Sequence, residues 1–222
     1  MKLGAVLLAA GAASRMGGRP KCLLELGGVP LVVRQCLALS GAGVDEVTVV
    51  SGHYAAQVEA ALASSSITLV RNPSPDDGQA SSVRLGLQAL SPNLDAVIVA
   101  LADQPMIEAS DIAELISAYR LRGDRAMVVP RVQSVDGKWV PGNPVILSAD
   151  LRQQWQAAED DGMCRSWRQQ HPEKIEWFDT NNRHYATDID TPEDLQRFEA
   201  ETGHALVWPS VSPGRPSRTT ST

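Results

Sequence analysis

Arg15 and Lys21 stand in a run otherwise dominated by small residues: Leu8-Ala9-Ala10-Gly11-Ala12-Ala13-Ser14-Arg15-Met16-Gly17-Gly18-Arg19-Pro20-Lys21. Small side chains let backbone N–H groups come close to an anion, and two cations beside them suit phosphate. No Gly-Lys-Ser/Thr closes the run as in a P-loop, and GxGxxG is absent. On spacing alone, a plain Gly-rich β-to-α turn with two solvated cations is the competing reading. Asp103, in Leu101-Ala102-Asp103-Gln104-Pro105-Met106, ends an apolar strand pattern. A carboxylate there faces the crevice where open α/β sheets bind ligands, unless it serves only as a turn former or helix cap. Asp188 and Asp190, in Thr187-Asp188-Ile189-Asp190-Thr191-Pro192-Glu193-Asp194, would share one face of a short strand. One or both could then reach a metal; capping of the last helix by Asp190 or Thr191 is the alternative.

These groups need a scaffold, and the first half of the chain supplies a repeating one. Gly4–Ala9, Glu46–Ser51, Ile67–Arg71 and Ala96–Leu101 are apolar runs without polar alternation, the pattern of strands covered on both faces. Pro30–Ser40, Tyr54–Ala63 and Gln79–Leu90 carry helical spacing, with Val83, Leu87 and Leu90 on one face. The alternation predicts a parallel sheet with crossover helices. Ser110–Leu121 reads as a further helix opened by a Ser/Asx-type cap. Beyond it, Ala126–Val132, the turn Asp136-Gly137 and Val140–Leu147 read as a strand pair. Ala149–Ala158 and Met163–Gln170 are helical patterns, and Ile175–Phe178 is a short strand. Thr191 caps a final helix, with Pro192 in its first turn and Asp194 completing a capping box. The spans expected are a domain over 1–207 and a disordered tail over 208–222, where Pro, Ser, Thr and Arg dominate.

Composition removes several function classes. With 222 residues, a net charge of −6 and 5% aromatics, the chain lacks the basic patch that phosphate neutralisation along a nucleic acid demands. Its longest apolar runs, Ala5–Ala10 and Ala96–Ala102, fall far short of the roughly 20 residues of a membrane span, and the N-terminus lacks a signal-peptide layout. Cys22, Cys36 and Cys164 form no CxxC pair and read as small packed thiols. His53, His171, His184 and His204 are scattered, and none stands at triad or metal spacing. A cytoplasmic monomer that binds neither nucleic acid nor membrane is expected.

The wording from Leu8 to Lys21 resembles the signature of nucleotidyltransferases with a Rossmann-like fold, roughly LAAG-x₃-RMG-x₂₋₃-K, and is similar above all to the molybdenum-cofactor nucleotidyltransferases. Leu23–Leu31 continues that text. Asp77–Leu87 resembles the family's base-recognition loop and the helix it opens, although Ser81 or Ser82 read alone suits a helix cap equally well. Leu101–Met106 resembles the LADQP element of the cytidylyl members, Asp188–Asp194 the D-x-D-T-P-E-D block, and Pro141–Leu147 the G-x-P-V/I block on the pterin side. Asp160–Arg165 resembles, imperfectly, a GD-x-GAR loop.

The resemblance implies a three-layer α/β nucleotidyltransferase fold, its central sheet mostly parallel with a small antiparallel addition. It implies CMP transfer from CTP to molybdopterin phosphate, with pyrophosphate released. Arg15 and Lys21 would be the catalytic cations, and Leu8, Ala9, Ala10, Gly11, Gly78 and Ser82 would bind the nucleotide. Asp103 and Asp188 would hold Mg²⁺ or Mn²⁺, with Asp190 in reserve for Asp188, and Gly142, Asn143 and Pro144 would lie against the acceptor. Implied partners are CTP or another NTP, the molybdopterin cofactor and a molybdoenzyme that receives the product. Ala10, where guanylyl members carry Gly, and the LADQP wording favour CTP; the longer Met16–Lys21 spacing favours GTP. Other readings are cytidylyl transfer to a sugar or polyol phosphate, a non-catalytic cofactor chaperone, and a dinucleotide-dependent oxidoreductase. The last lacks both GxGxxG and an acidic residue ending the second strand, where Ser51-Gly52-His53 stands.

Overall fold

The computed structural model describes residues 1–158 and 165–209. β1 (Leu3–Ala9) is buried along its whole length, as its unbroken apolar run requires. A loop with two short 3-10 turns leads into the hairpin β2 (Glu25–Leu26) and β3 (Val29–Pro30), and then into α1 (Leu31–Gly41). The alternating part continues with β4 (Glu46–Ser51), α2 (Ala55–Ala61), β5 (Thr68–Arg71), α3 (Gln79–Ala89), β6 (Ala96–Leu101) and α4 (Ala109–Leu121). β1 pairs in parallel with β4 on one side and with β6 on the other, and β4 pairs in parallel with β5. All four strands therefore end at one edge of the sheet.

β7 (Met127–Gln133) and β8 (Trp139–Pro141) form the hairpin expected around Asp136-Gly137. The expected strand Val140–Leu147 is corrected, because it breaks into β8 and β9 (Val145–Ser148). Between the pairs Arg131↔Pro141 and Val128↔Ile146, four residues (142–145) face only two (129–130). Pro144 has no N–H to give a ladder, and the surplus residues bulge away from β7. β9 then lies antiparallel between β7 and β6. α5 (Ala149–Ala157), α6 (Arg165–Gln170), β10 (Ile175–Thr180), α7 (Pro192–Thr202) and β11 (Leu206–Val207) follow. Among the described residues the main sheet has eight strands, in the order β10-β7-β9-β6-β1-β4-β5 with β8 on β7, and β11-β2-β3 forms a small antiparallel sheet.

Side chains of β1 alternate between two cores. Leu3, Ala5, Leu7 and Ala9 join residues of α1, α2 and α4, while Val6 and Leu8 join α3, α5 and α6. That alternation makes three layers: helices, sheet, helices. A third cluster holds Met16, Leu24, Leu31, Ile189, Phe198 and Leu206, with Trp208 packed against it, and Arg19 lies 4.0 Å over the Trp208 ring. β11 is thereby tied to the loop after β1.

Two helix starts differ in how the sequence reads them. α7 carries the expected box, with Thr191 and Asp194 bonding reciprocally behind Pro192. α4 is capped by Glu108, not by Ser110, in a box closed by Asp111. A Glu cap is uncommon, which is why the Ser looked the better choice. No helix among the described residues is long and apolar enough to cross a membrane.

Candidate active site

The crevice at the carboxyl edge of β1, β5 and β6 is a cavity of about 480 Å³. Its walls come from Leu8, Ala9, Ala10 and Gly11, from Arg15 and Lys21, from Gly78, Gln79 and Ser82, and from Asp103, Asp188 and Asp190. Four stretches far apart in sequence converge there. A second cavity of about 520 Å³ shares Arg15, Asp188 and Asp190 with it and extends to Arg183 and Arg197.

The loop after β1 folds back on itself. Ala13 adopts a left-handed conformation, φ 50°, and its carbonyl accepts from the N–H groups of Met16 and Gly18. The Tyr54 hydroxyl, ahead of α2, lies 2.9 Å from the Ala12 carbonyl oxygen and 2.5 Å from that of Gly18. Tyr54 thus clamps both ends of the turn that presents Arg15. It was invisible in the sequence, because nothing local marks a Tyr that closes a distant loop.

Charge is distributed unevenly across the site. Lys21 Nζ donates to Asp103 Oδ2 at 2.7 Å and to Asp190 Oδ1 at 2.6 Å, and Arg15 Nη2 donates to Asp190 Oδ2 at 2.9 Å. Burial alone would lower the Lys21 pKa, but Asp103 and then Asp190 outweigh it and hold the ammonium above its ordinary value. Burial likewise pushes Asp190 up, and Lys21 with Arg15 overcomes that and holds it below the carboxylate range. Asp188 opens toward solvent yet is desolvated enough, and close enough to Asp103 and Asp190, to sit above that range. Asp190 is therefore the carboxylate the cations neutralise, and Asp188 is the crowded one.

Asp188 and Asp190 do not lie on a strand, as their spacing suggests; the segment has no regular secondary structure. It is docked instead of paired. Ile189 N–H donates to the Asp103 carbonyl at 3.1 Å, which sets the two aspartate-bearing segments side by side. The carbonyl of Tyr185 accepts from Gln104 Nε2 at 3.1 Å and from Asn143 N–H at 2.8 Å. A Cβ on Gly142 would sit 2.3 Å from that same oxygen, so the bulge before β9 demands glycine there. Tyr185 Oη donates to the Asp111 carbonyl at 2.6 Å, and His184 Nδ1 lies 2.9 Å from Asp111 Oδ2. Gly142, Asn143 and Pro144 thus do not line the cavity; Gly142 and Asn143 pack against the chain segment that leads to Asp188. Nothing local in the sequence marks Gln104 or Asp111 for this junction, since both act on a segment remote from them.

An oxygen-binding divalent cation fits the residues present. Asp103 Oδ1 is buried with no hydrogen-bond partner among the described residues, and Asp188 lines the same cavity. No group of three or more His, Cys, Asp or Glu among the described residues is placed to hold an ion unaided, so phosphate oxygens would complete the shell, as Mg²⁺ prefers. Cys22 also lines the cavity, but burial, then the Asp103 charge, pushes its thiol up to about 12. It is no nucleophile at neutral pH. Cys36 is likewise buried. Cys164 and most of the Asp160–Arg165 resemblance lie outside the described residues.

Residues 5–175 match the family model described as the MobA-like NTP transferase domain. The chain belongs to that family. A nucleotidyl transferase from Methanothermobacter superposes on the MobA-like domain with a TM-score of 0.72, at 25% identity over 90% of this chain and 97% of that one. Rv0371c of Mycobacterium tuberculosis has the same fold, at TM-score 0.72 and 24% identity over 89% and 97% of the two chains, and a complex of that protein with manganese has been solved. Among curated proteins, nicotine blue oxidoreductase of Paenarthrobacter nicotinovorans is 29% identical over 87% of this chain and 94% of its own length. The 2-C-methyl-D-erythritol 4-phosphate cytidylyltransferase of Streptomyces coelicolor is 32% identical over 64% of this chain and 57% of its own.

Proposed function

We propose that this MobA-like domain transfers CMP from CTP to the phosphate of the molybdenum cofactor, molybdopterin, releasing pyrophosphate. The observation that carries the reading is Lys21 bound to both Asp103 and Asp190 beneath the Gly-rich loop. It gathers the cations for a triphosphate and the carboxylates for its metal in one cavity.

In the proposed reaction an oxygen of the acceptor phosphate attacks the α-phosphorus of CTP in line. The bond from that phosphorus to the bridging oxygen breaks, and pyrophosphate leaves with the electron pair. The attacking oxygen is already ionised, so no general base is required. Lys21 and Arg15 face the charge that grows on the leaving oxygens, where fixed cations count most. Backbone N–H groups of Gly11 and its neighbours hold the phosphates, and Gly78 and Ser82 hold the base. Asp103 and Asp188 would hold Mg²⁺ or Mn²⁺, which supplies Lewis-acid neutralisation of the α-phosphate. Gln104 and the Gly142–Pro144 bulge keep Asp188 in register with Asp103 through Tyr185.

The experiment is pyrophosphate release with each NTP, with and without molybdenum cofactor, beside a parallel assay of NAD(P)H oxidation. Cofactor-dependent release with CTP is expected. Release that instead requires a polyol phosphate would move the acceptor to the class named for the Streptomyces relative. Turnover of NAD(P)H without pyrophosphate would favour the oxidoreductase reading that the Paenarthrobacter relative's name raises.

A further inference from the structure

Asn72 follows β5 at the same edge of the sheet, is 3% exposed, and has every polar atom of its side chain committed. Its Oδ1 accepts from the Ser74 backbone N–H at 2.9 Å. A backbone N–H can only donate, so the amide cannot be flipped, and Nδ2 must face the other way. Nδ2 donates its two hydrogens to Ser81 Oγ and Ser82 Oγ, each at 2.9 Å. Ser81 passes its own hydrogen to the Gly78 carbonyl at 2.8 Å and is satisfied. Ser82 Oγ receives a hydrogen from Asn72, and among the described residues no acceptor takes its own. Ser82 is 4% exposed and lines the nucleotide cavity beside Gly78 and Gln79.

We infer that Asn72 is a positioning residue which fixes the Ser82 hydroxyl as a hydrogen-bond donor into the cavity, so that the nucleobase bound there must present an acceptor, a ring carbonyl or imine nitrogen. The inference rests on the nucleotide reading of the cavity. A serine hydroxyl normally serves as donor or acceptor by rotation. Here the amide occupies a lone pair and leaves the hydrogen to the ligand. A base that offers a donor at that point meets a second donor, and both groups lose their water without replacing it. Selectivity at Ser82 is thus set by a residue that never touches the substrate.

The test exchanges the polarity and keeps the shape. In Asn72→Asp the carboxylate still accepts from Ser74, but it also accepts from Ser82, turning that hydroxyl's lone pairs toward the cavity. The new charge acts on any triphosphate, so the readout is the ratio of dissociation constants for inorganic tripolyphosphate and CTP, both with Mg²⁺. That ratio isolates the base. Asn72→Asp should cut it about tenfold, the scale of one unmade buried hydrogen bond. In a Ser82→Ala background the same substitution should leave the ratio unchanged. If Asn72→Asp does not fold, Asn72→Ala frees the hydroxyl to rotate and should cut the ratio about threefold, again only when Ser82 is present. Equal losses in both backgrounds, or no loss in either, would overturn the positioning role. A wild-type protein that binds tripolyphosphate as tightly as CTP would overturn base recognition here, and one that binds neither would defeat the nucleotide reading itself.

Discussion

Lys21 and Asp103, far apart in sequence, meet as a 2.7 Å ion pair whose two side chains are only 17% and 21% exposed. Asp103 has one oxygen on this ammonium, and the other is buried without a hydrogen-bond partner among the described residues. A carboxylate half paired in this way is prepared for a second cation, and its position at the end of β6 aims it at the ligand crevice.

Asp103→Asn should therefore remove one ligand oxygen's charge and strand the Lys21 ammonium against Asp190 alone. Turnover should fall about 100-fold or more, the scale of losing one major electrostatic stabiliser. Steady-state rates at saturating Mg²⁺ check this; near-normal turnover would remove Asp103 from the metal site.

Lys21→Ala and Arg15→Ala should separate ground-state from transition-state roles. If both cations act on charge that develops during transfer, kcat falls more than KM rises. Lys21, held by two carboxylates, should show the larger loss, because its removal also takes the ammonium from Asp103 and leaves Asp190 with Arg15 alone. A raised KM with kcat unchanged would assign the residue to binding alone.

The crowding of Asp188 has a sign that stability can read. Its folded-state pKa is raised, so ionisation favours the unfolded chain, and the cost to the fold is absent below the unfolded value near 3.8 and complete above the folded one. Asp188→Asn should raise the melting temperature at pH 7, leave it unchanged near pH 3, and still lower activity. For Asp190, whose pKa is lowered, the direction reverses: Asp190→Asn should lower stability at pH 7, with the difference fading as pH falls through the folded pKa. Melting curves across this pH range decide both.

Much of this was open to reading in the sequence, and the parts that were not share a cause. The bounds of β4 and β6 match the apolar runs, because strands covered on both faces leave an uninterrupted signal. Arg15, Lys21, Asp103, Asp188 and Asp190 were legible as charged residues in small-residue or strand-end settings, and the structure gathers them in one cavity. Tyr54, Asn72 and Gln104 were not, because each works through a hydrogen bond to a segment that only the fold brings near. The expected strand over Val140–Leu147 failed for a related reason: its Gly-Asn-Pro interior is shaped by Tyr185, on the far side of β10.

In the proposed reaction base selectivity turns on Ala10, whose methyl lies where a Cβ on Gly52 would clash, at 2.8 Å. The methyl is one wall of a closely packed corner and would leave room there for a one-ring base. A single methyl group in a pocket is worth about 1–3 kcal/mol, or roughly 10–200-fold in discrimination. Ala10→Gly should narrow the CTP-over-GTP preference by that order without abolishing turnover. The ratio of kcat/KM for the two nucleotides measures it, and GTP turned over as well as CTP by the unaltered protein would reverse the base assignment.

In the proposed reaction the cavity of Lys21, Asp103 and Asp188 moves a nucleotide onto a phosphate acceptor. The most direct measurement incubates the protein with CTP labelled at its α-phosphate, Mg²⁺ and molybdenum cofactor, and follows where the label goes. Label recovered in a cofactor–CMP adduct, in equal amount to the pyrophosphate released and lost in Asp103→Asn, is the predicted result. Label that stays in CTP, or appears only as free CMP while the cofactor is unchanged, would rule out transfer to the cofactor.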